Sequence, residues 1–333
     1  MSKSLIEETP KGFNAPAFYI RPSETGFLPG GTQYYSQKWW HKYYHPFASN
    51  FKVWHGTYQG SNYYPQSRKV KKLLTIHDLN FLYDSSKDAE KKKKYLESTQ
   101  AMIDRSDQIA VISEFTHQCI REHLDLSNVQ VHTIYNGCNT PAPNTVFQKP
   151  GFINFDNPYI FSIGTVLRKK NFHTLPSLLV GNDYKLVIAG ITQDKTYVDE
   201  IIAEAKKHGV EERVLLPGSI SENEKWWLLS NMLAMAFPSI SEGFGLPVVE
   251  AMHFGKPIIL STHTCLPEIG GDAAYYFNSF DSADMQQTFD QALHHFHTHP
   301  EMVEKVKNRS AFFSWGKAAK QYWELYQQLL QNK

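Results

Sequence analysis

Ser241-Glu242-Gly243-Phe244-Gly245-Leu246-Pro247-Val248-Val249-Glu250-Ala251-Met252 sets two carboxylates eight residues apart, with glycines and a proline between them. The apolar run at 232–238 before it reads as a buried strand, and 248–252 after it has helical character. Pro247 suits the first helical position, where a missing N–H costs nothing. The stretch therefore reads strand, glycine turn, helix N-terminus. The first N–H groups of a helix lack internal partners and carry partial positive charge, and glycines let a ligand approach the backbone closely. Such a turn suits a phosphate or diphosphate. Two carboxylates repel a bare phosphate, so the expected ligand also carries hydroxyls, which carboxylates accept. A sugar nucleotide presents both groups. The plainer alternative is a βα turn with two solvated glutamates.

The rest of the chain repeats one theme. Apolar runs at 73–76, 108–112, 129–135, 159–163, 185–189, 213–216 and 257–260 read as buried strands that end in polar or glycine residues. Helical stretches at about 87–105 and 114–124 separate the first three. Strands alternating with helices predict parallel sheets with crossovers, whose ligands bind outside the carboxyl ends of the strands. Residues 138–158 break the rhythm with Pro141, Pro143, Pro150, Gly151 and Pro158 and read as a linker. The expected organisation is α/β, with Rossmann-like domains at 1–145 and 155–312 and an amphipathic tail at 313–333 that places Tyr322, Leu325 and Leu329 near helical spacing. The N-terminus fits this least well, because the only candidate opening strand, 15–20, contains Pro16. Residues 34–64 hold many tyrosines and tryptophans among lysines and histidines. They read as a half-buried aromatic helix and loop, or as a sugar-stacking or interfacial surface of amphipathic rings and cations. Lys91-Lys92-Lys93-Lys94 reads as a solvated helix face that also attracts anionic lipid.

Composition narrows the classes. A chain of 333 residues with 41% hydrophobic content is long enough for two domains with real cores. A net charge of +1 argues against a dedicated nucleic-acid binder. Cys119, Cys138 and Cys265 lack metal-type spacing, which fits a reducing compartment. The polar first residues predict no signal peptide, and no apolar run reaches the ~18 residues of a membrane span. A cytoplasmic location is expected. His294, His295, His297 and His299 read as a polar helix end rather than a metal site, since no carboxylate or cysteine completes a ligand pattern. Neither a Walker sequence nor a dinucleotide-binding glycine fingerprint is present.

The Glu242-to-Glu250 stretch resembles the E-x7-E signature of retaining GT-B glycosyltransferases of the family 4 type. The resemblance continues through Gly255-Lys256-Pro257-Ile258-Ile259 and Pro267-Glu268-Ile269-Gly270-Gly271-Asp272-Ala273-Ala274. It implies two doubly wound Rossmann-like domains facing a central cleft, with the C-terminal helix crossing back to the N-domain. Gly164-Thr165-Val166-Leu167-Arg168-Lys169-Lys170-Asn171 resembles the block whose basic pair contacts the donor diphosphate. Lys169 and Lys170 take those places, Arg168 is an extra cation, and Gly164 and Thr165 complete the turn. By the same resemblance Glu242 accepts donor-sugar hydroxyls and Glu250 the ribose hydroxyls. Gly243, Phe244, Gly245 and Leu246 offer backbone N–H groups. His77-Asp78 resembles the family's acceptor-side turn, and Gly30-Gly31-Thr32 its N-domain glycine loop. Ser113 reads mainly as a helix cap, and Phe313-Ser314-Trp315 resembles the start of the returning helix.

Together with Tyr135-Asn136-Gly137, the blocks around His77 and Ser113 look most like mannosyltransferases of surface-polysaccharide assembly. The resemblance implies a hexose moved from GDP-mannose, with a UDP-sugar as the alternative, to a saccharide or lipid-linked saccharide in α-linkage. It implies no metal cofactor. Peripheral contact with the inner face of a membrane is expected, and no nucleic-acid partner. A sugar-nucleotide epimerase, a phosphorylase and a non-catalytic nucleotide-sugar-binding protein are the rival readings on the same fold.

Overall fold

The computed structural model of the chain describes residues 1–331 except 25–27, 29, 68, 85 and 86. The chain divides into two compact units, Met1–Gly137 with Phe313–Lys333, and Cys138–Phe312. The division at Gly137 precedes the boundary expected at 145, and segment 138–158 counts with the second unit.

The first unit begins with a short helix α1 (Ser2–Glu7) and a two-stranded parallel sheet of β1 (Phe18–Ile20) and β2 (Tyr34–Ser36). Strands β3 (Val53–Gly56), β4 (Lys71–Ile76), β5 (Gln108–Val111) and β6 (Gln130–Thr133) form a parallel sheet in that order. Helices α2 (Ala89–Ile103) and α3 (Glu114–His123) make the β4–β5 and β5–β6 crossovers. Asp88 caps α2 through the Lys91 N–H, and Ser113 caps α3 through the Thr116 N–H. Leu73, Leu74, Ile76, Ile109 and Val111 are fully buried, as strands covered on both faces require.

Residues 34–64 depart from the expected helix and loop. They form β2, two 3-10 turns at Trp39–Lys42 and Ala48–Asn50, and β3. Their order comes from ring packing rather than from period. The Tyr19 ring lies 5.7 Å from His41, 4.6 Å from His45 and 5.5 Å from Trp54. The opening strand is the three-residue β1, which pairs with β2 and stays outside the main sheet.

The second unit has a six-stranded parallel sheet. Its elements are β7 (Tyr159–Ile163), β8 (Lys185–Ala189), α4 (Lys195–Lys207), β9 (Val214–Gly218), α5 (Glu222–Asn231), β10 (Ala234–Phe237), α6 (Leu246–Met252), β11 (Ile258–Ser261), α7 (Leu266–Gly270), β12 (Tyr275–Phe277), α8 (Ser282–Thr298) and α9 (Glu301–Phe312). The strand order is β12-β11-β10-β7-β8-β9. Winding therefore reverses between β7 and β10, the switch point at which such sheets bind ligands. Sequence reading missed β12, a three-residue edge strand too short to show a pattern.

The last helix, α10 (Trp315–Gln331), belongs to the first unit. It buries Ala318, Ala319, Tyr322, Trp323, Leu325, Tyr326 and Leu329 against Leu5, Leu73, Ala110 and Ile134. Gly137 meets its first turn so closely that a Cβ there would stand 2.1 Å from the Trp315 nitrogen. A polar seam runs beneath the helix. The His55 ring bonds the Tyr326 hydroxyl through Nδ1 (2.7 Å) and the Thr75 hydroxyl through Nε2 (2.7 Å), and Thr75 lies 3.2 Å from the Tyr322 hydroxyl.

Burial, with the nearby His77 adding to it, pushes the His55 pKa down from 6.5 to about 3. The native state therefore refuses a proton that the unfolded chain takes up below pH 6.5. The corresponding stability is present above that pH and lost as pH falls toward the folded value, at up to ~1.4 kcal/mol per pH unit. His45, pushed down to about 4 by burial, adds to the same acid limb. Urea melts across this range are expected to show His55→Phe flattening the slope by about one proton. An unchanged slope would remove His55 from the account.

Candidate active site

In the second unit, two loops leave the carboxyl ends of neighbouring strands β7 and β10. The first starts at Gly164, with φ at +153°, and the second carries the glutamate stretch. The first loop is held from the side by β8. A Cβ on Gly190 would stand 1.9 Å from the Gly164 carbonyl oxygen, and Gly190 itself has φ +147°. Glycine alone fits that approach. The loop then turns through a 3-10 helix at Arg168–Lys170, closed by Asn171 in the left-handed region at φ 58°. The Lys169 carbonyl accepts from the Ile240 N–H (2.9 Å) and the Ser239 hydroxyl (3.1 Å), which ties the two loops together.

That tie brings the expected cation and carboxylate into contact. Lys170 Nζ donates to Glu242 Oε1 at 2.5 Å, with side chains 11% and 12% exposed. The ammonium also lies 5.0 Å from the Phe237 ring centre. The three expected cations thus separate. Arg168 pairs with Glu200 and stacks 5.5 Å from the Tyr197 ring, turned away from Glu242. The Lys169 side chain is exposed, and Lys170 is buried at the glutamate. Thr165 follows Gly164 in the same turn, half-buried.

Glu242 is fixed through its backbone. Its N–H donates to the Thr264 hydroxyl (3.1 Å), and the Cys265 thiol donates to its carbonyl (3.4 Å). Thr264 has φ 53°, uncommon for a β-branched residue. Gly243 and Phe244 lead to Gly245, which caps α6 at φ +91°. Leu246 is the first residue of α6, so Pro247 stands at its second position rather than its first.

Glu250 lies one turn along α6 and is 4% exposed. Its Oε1 accepts from Asn139 Nδ2 (2.8 Å) and its Oε2 from Lys225 Nζ (3.0 Å). Sequence reading found neither partner. Asn139 is 111 residues away and Lys225 is 25 residues away, and no motif spacing links them. Both thiols beside the glutamates stay protonated. Burial, then Glu242, raises the Cys265 pKa, and burial pushes Cys138 up to about 11, with Glu250 adding to the effect. The chemistry available here is cationic and hydrogen-bonding, with no thiol nucleophile.

In the first unit, His77 follows β4. Its Nε2 donates to the Thr57 carbonyl (2.7 Å) and its backbone N–H to Gln59 Oε1 (3.0 Å). A carbonyl partner places the ring proton on Nε2 and leaves Nδ1 of the neutral ring as an acceptor. Asp78 shapes the turn, its carboxylate accepting from the Asn80 N–H at 2.8 Å. Gly30 and Gly31 sit in an exposed turn, Gly31 at φ +88°. Gly26, at the start of that glycine loop, lies outside the described residues. Among the described residues no group of three His, Cys, Asp or Glu side chains is placed to hold a metal, and His295 bonds the Tyr275 hydroxyl instead.

Residues 144–309 match the family model for glycosyl transferases group 1. The chain is similar to the serotype-specific mannosyltransferase WbdA of Escherichia coli, 26% identical over 278 residues, which cover 79% of this chain and 34% of that protein. It is also similar to the O-antigen chain mannosyltransferase RfbU of Salmonella typhimurium, 24% identical over 246 residues and covering 73% and 65% of the two chains. The chain thus spans about a third of the first relative's length. Among solved structures, sucrose-phosphate synthase from Thermosynechococcus elongatus superposes with a TM-score of 0.73 at 20% identity, over 91% of this chain and 82% of that one. Anabaena Alr3699/HepE in complex with UDP-glucose gives 0.65 at 16% identity, over 78% and 73%. These likenesses establish a GT-B fold.

Removing one member of a buried ion pair strands the other charge, at a cost of roughly 3–5 kcal/mol. Lys170→Ala is therefore expected to lower the denaturation midpoint sharply, while Lys169→Ala leaves it in place. Equal effects on chemical melts would contradict the burial difference. Gly190→Ala is expected to displace the Gly164 turn and lower the denaturation midpoint in the same melts.

Proposed function

We propose that this chain, which belongs to the group 1 glycosyl transferases, moves a hexose from a nucleotide sugar to a saccharide hydroxyl with retention of configuration. GDP-mannose is the proposed donor, and surface-polysaccharide assembly the proposed setting. The observation that carries the reading is the Lys170–Glu242 pair at the switch point, with the buried Glu250 one turn into the helix that follows.

A diphosphate arriving at the switch point takes over Lys170 and meets Lys169 and the N–H groups at the start of α6. Glu242, released from the lysine, accepts hydroxyls of the sugar. Glu250 has lone pairs to spare beyond Asn139 and Lys225 and accepts the ribose hydroxyls. The cations offset charge building on the departing nucleoside diphosphate, so no metal is assigned a part. The acceptor hydroxyl attacks the anomeric carbon from the face the diphosphate leaves, with His77 orienting the acceptor. The mannosyl choice is supported by the names of the curated relatives. The UDP-glucose bound to HepE makes UDP-sugars the competing donors.

A cytoplasmic location with peripheral membrane contact belongs to the same proposal. No helix among the described residues is long and apolar enough to cross a membrane. Trp39, Tyr43 and Tyr44 are 73%, 71% and 69% exposed, and Lys42 lies 4.8 Å from the Tyr43 ring centre. Large exposed rings beside cations suit a lipid headgroup layer and a lipid-linked acceptor. The lysine run on α2 contributes less, because Lys93 and Lys94 pair with Glu97 and Glu90.

A native-state ligand at a hundred times its Kd stabilises by about 2.7 kcal/mol. GDP-mannose is expected to raise the melting temperature, Glu250→Ala to abolish the shift, and EDTA to leave transfer unchanged. A shift with UDP-sugars alone would overturn the donor, and no shift with any nucleotide sugar would overturn the function. Vesicle flotation is expected to show Trp39→Ala/Trp40→Ala weakening association with anionic lipid. Unchanged flotation would remove the membrane contact.

A further inference from the structure

The first unit holds a groove of about 430 Å³ between α3, β6 and α10. That volume lies within the ~300–1,000 Å³ of small-molecule sites. No lysine or arginine lines it, whereas Glu114 and Glu324 do. An anionic ligand is therefore disfavoured. A metal is not indicated either, since the described residues contain no group of three suitable ligands.

The lining suits hydroxyl groups, which both donate and accept. Gln321, Glu324 and Gln328 form one stripe of α10, three and four residues apart, along the groove. All three side chains are solvent-exposed and so accessible to a ligand's hydroxyls. Opposite them, His132 Nε2 is buried and has no partner. A buried ring nitrogen without a partner is rare in native proteins and calls for a water or a ligand. His117 is oriented by the Thr133 hydroxyl (3.2 Å) and Glu114 (3.7 Å). Val131 and Leu325 supply apolar surface for the C–H faces of a sugar ring.

The strand adds backbone groups. β6 is one of the two edge strands of its sheet. The Ile134 N–H donates to the Val111 carbonyl (2.8 Å). By alternation, 132 and 134 turn their backbone groups toward β5, while Val131 and Thr133 turn theirs outward. An added peptide strand would find only these two outward residues, and no row of apolar pockets for alternate side chains. Hydroxyls need neither.

We propose that this groove is a second saccharide site, which binds a neutral oligosaccharide independently of the nucleotide-sugar site in the second unit. It rests on the glycosyl-transfer reading only for the sugar's identity, the growing acceptor glycan. The site holds the glycan by the Gln321–Glu324–Gln328 stripe and the His132 imidazole, so the chain retains its acceptor between transfers.

The test uses the full chain saturated with GDP and titrated with linear α-mannotriose, followed by the imidazole ¹⁵N signals of His117 and His132. Both signals are expected to move in a saturable way at millimolar sugar. Gln321→Ala/Glu324→Ala is expected to weaken binding roughly tenfold or more, with an unchanged melting temperature. Glu250→Ala, which silences the nucleotide site, is expected to leave the titration intact. Histidine signals that stay still to the solubility limit, an equal response to trialanine, or full affinity in the double variant would each overturn the proposal. Saccharide binding at the nucleotide site instead would vanish with Glu250→Ala without moving His132. Failure of the donor reading shows separately, as mannotriose binding without any nucleotide-sugar shift.

Discussion

The space beside the Gly164 carbonyl oxygen is where a side chain on residue 190 would begin. That close approach decides how β7 hands the chain to its loop, and hence where Lys170 ends up. With the turn in place, the Lys169 carbonyl takes two hydrogen bonds from Ser239 and Ile240. Lys170 is then delivered to Glu242 in a nearly dry contact. The second anchor comes from β11, whose loop grips both peptide groups of Glu242 through Thr264 and Cys265. Rigid backbone ties on both sides let a flexible lysine serve as a positioned cation, at the point in the sheet where topology leaves a crevice.

The second unit was largely legible because its strands are continuous apolar runs buried on both faces, such as 159–163 and 185–189. The glutamate stretch was legible because its glycines and proline are demanded locally. What could not be read depends on distance. Asn139 and Lys225 come to Glu250 only through the fold. Arg168 was one of three adjacent cations until Glu200, from α4, singled it out. The segment 34–64 was misread as part helix because its rings pack on Tyr19 and Trp54 rather than along a period.

The first unit follows a different logic from the second. Its sheet is short, and much of its order is aromatic and polar. His55, Thr75, Tyr322 and Tyr326 form a hydrogen-bonded chain within an otherwise apolar contact. A buried network of this kind adds less to stability than it does to register, because each member is costly to leave unpaired. It tells α10 which turn to seat on which strand, where the apolar stripe alone would tolerate a slip.

The first unit is also discontinuous in sequence, closed by a helix that comes after the whole of Cys138–Phe312. The whole of the second unit thus precedes, in chain order, the helix that covers the first. Leu73, Ala110 and Ile134 then face water until residues 315–331 arrive. The unit that is begun first can therefore be completed only last.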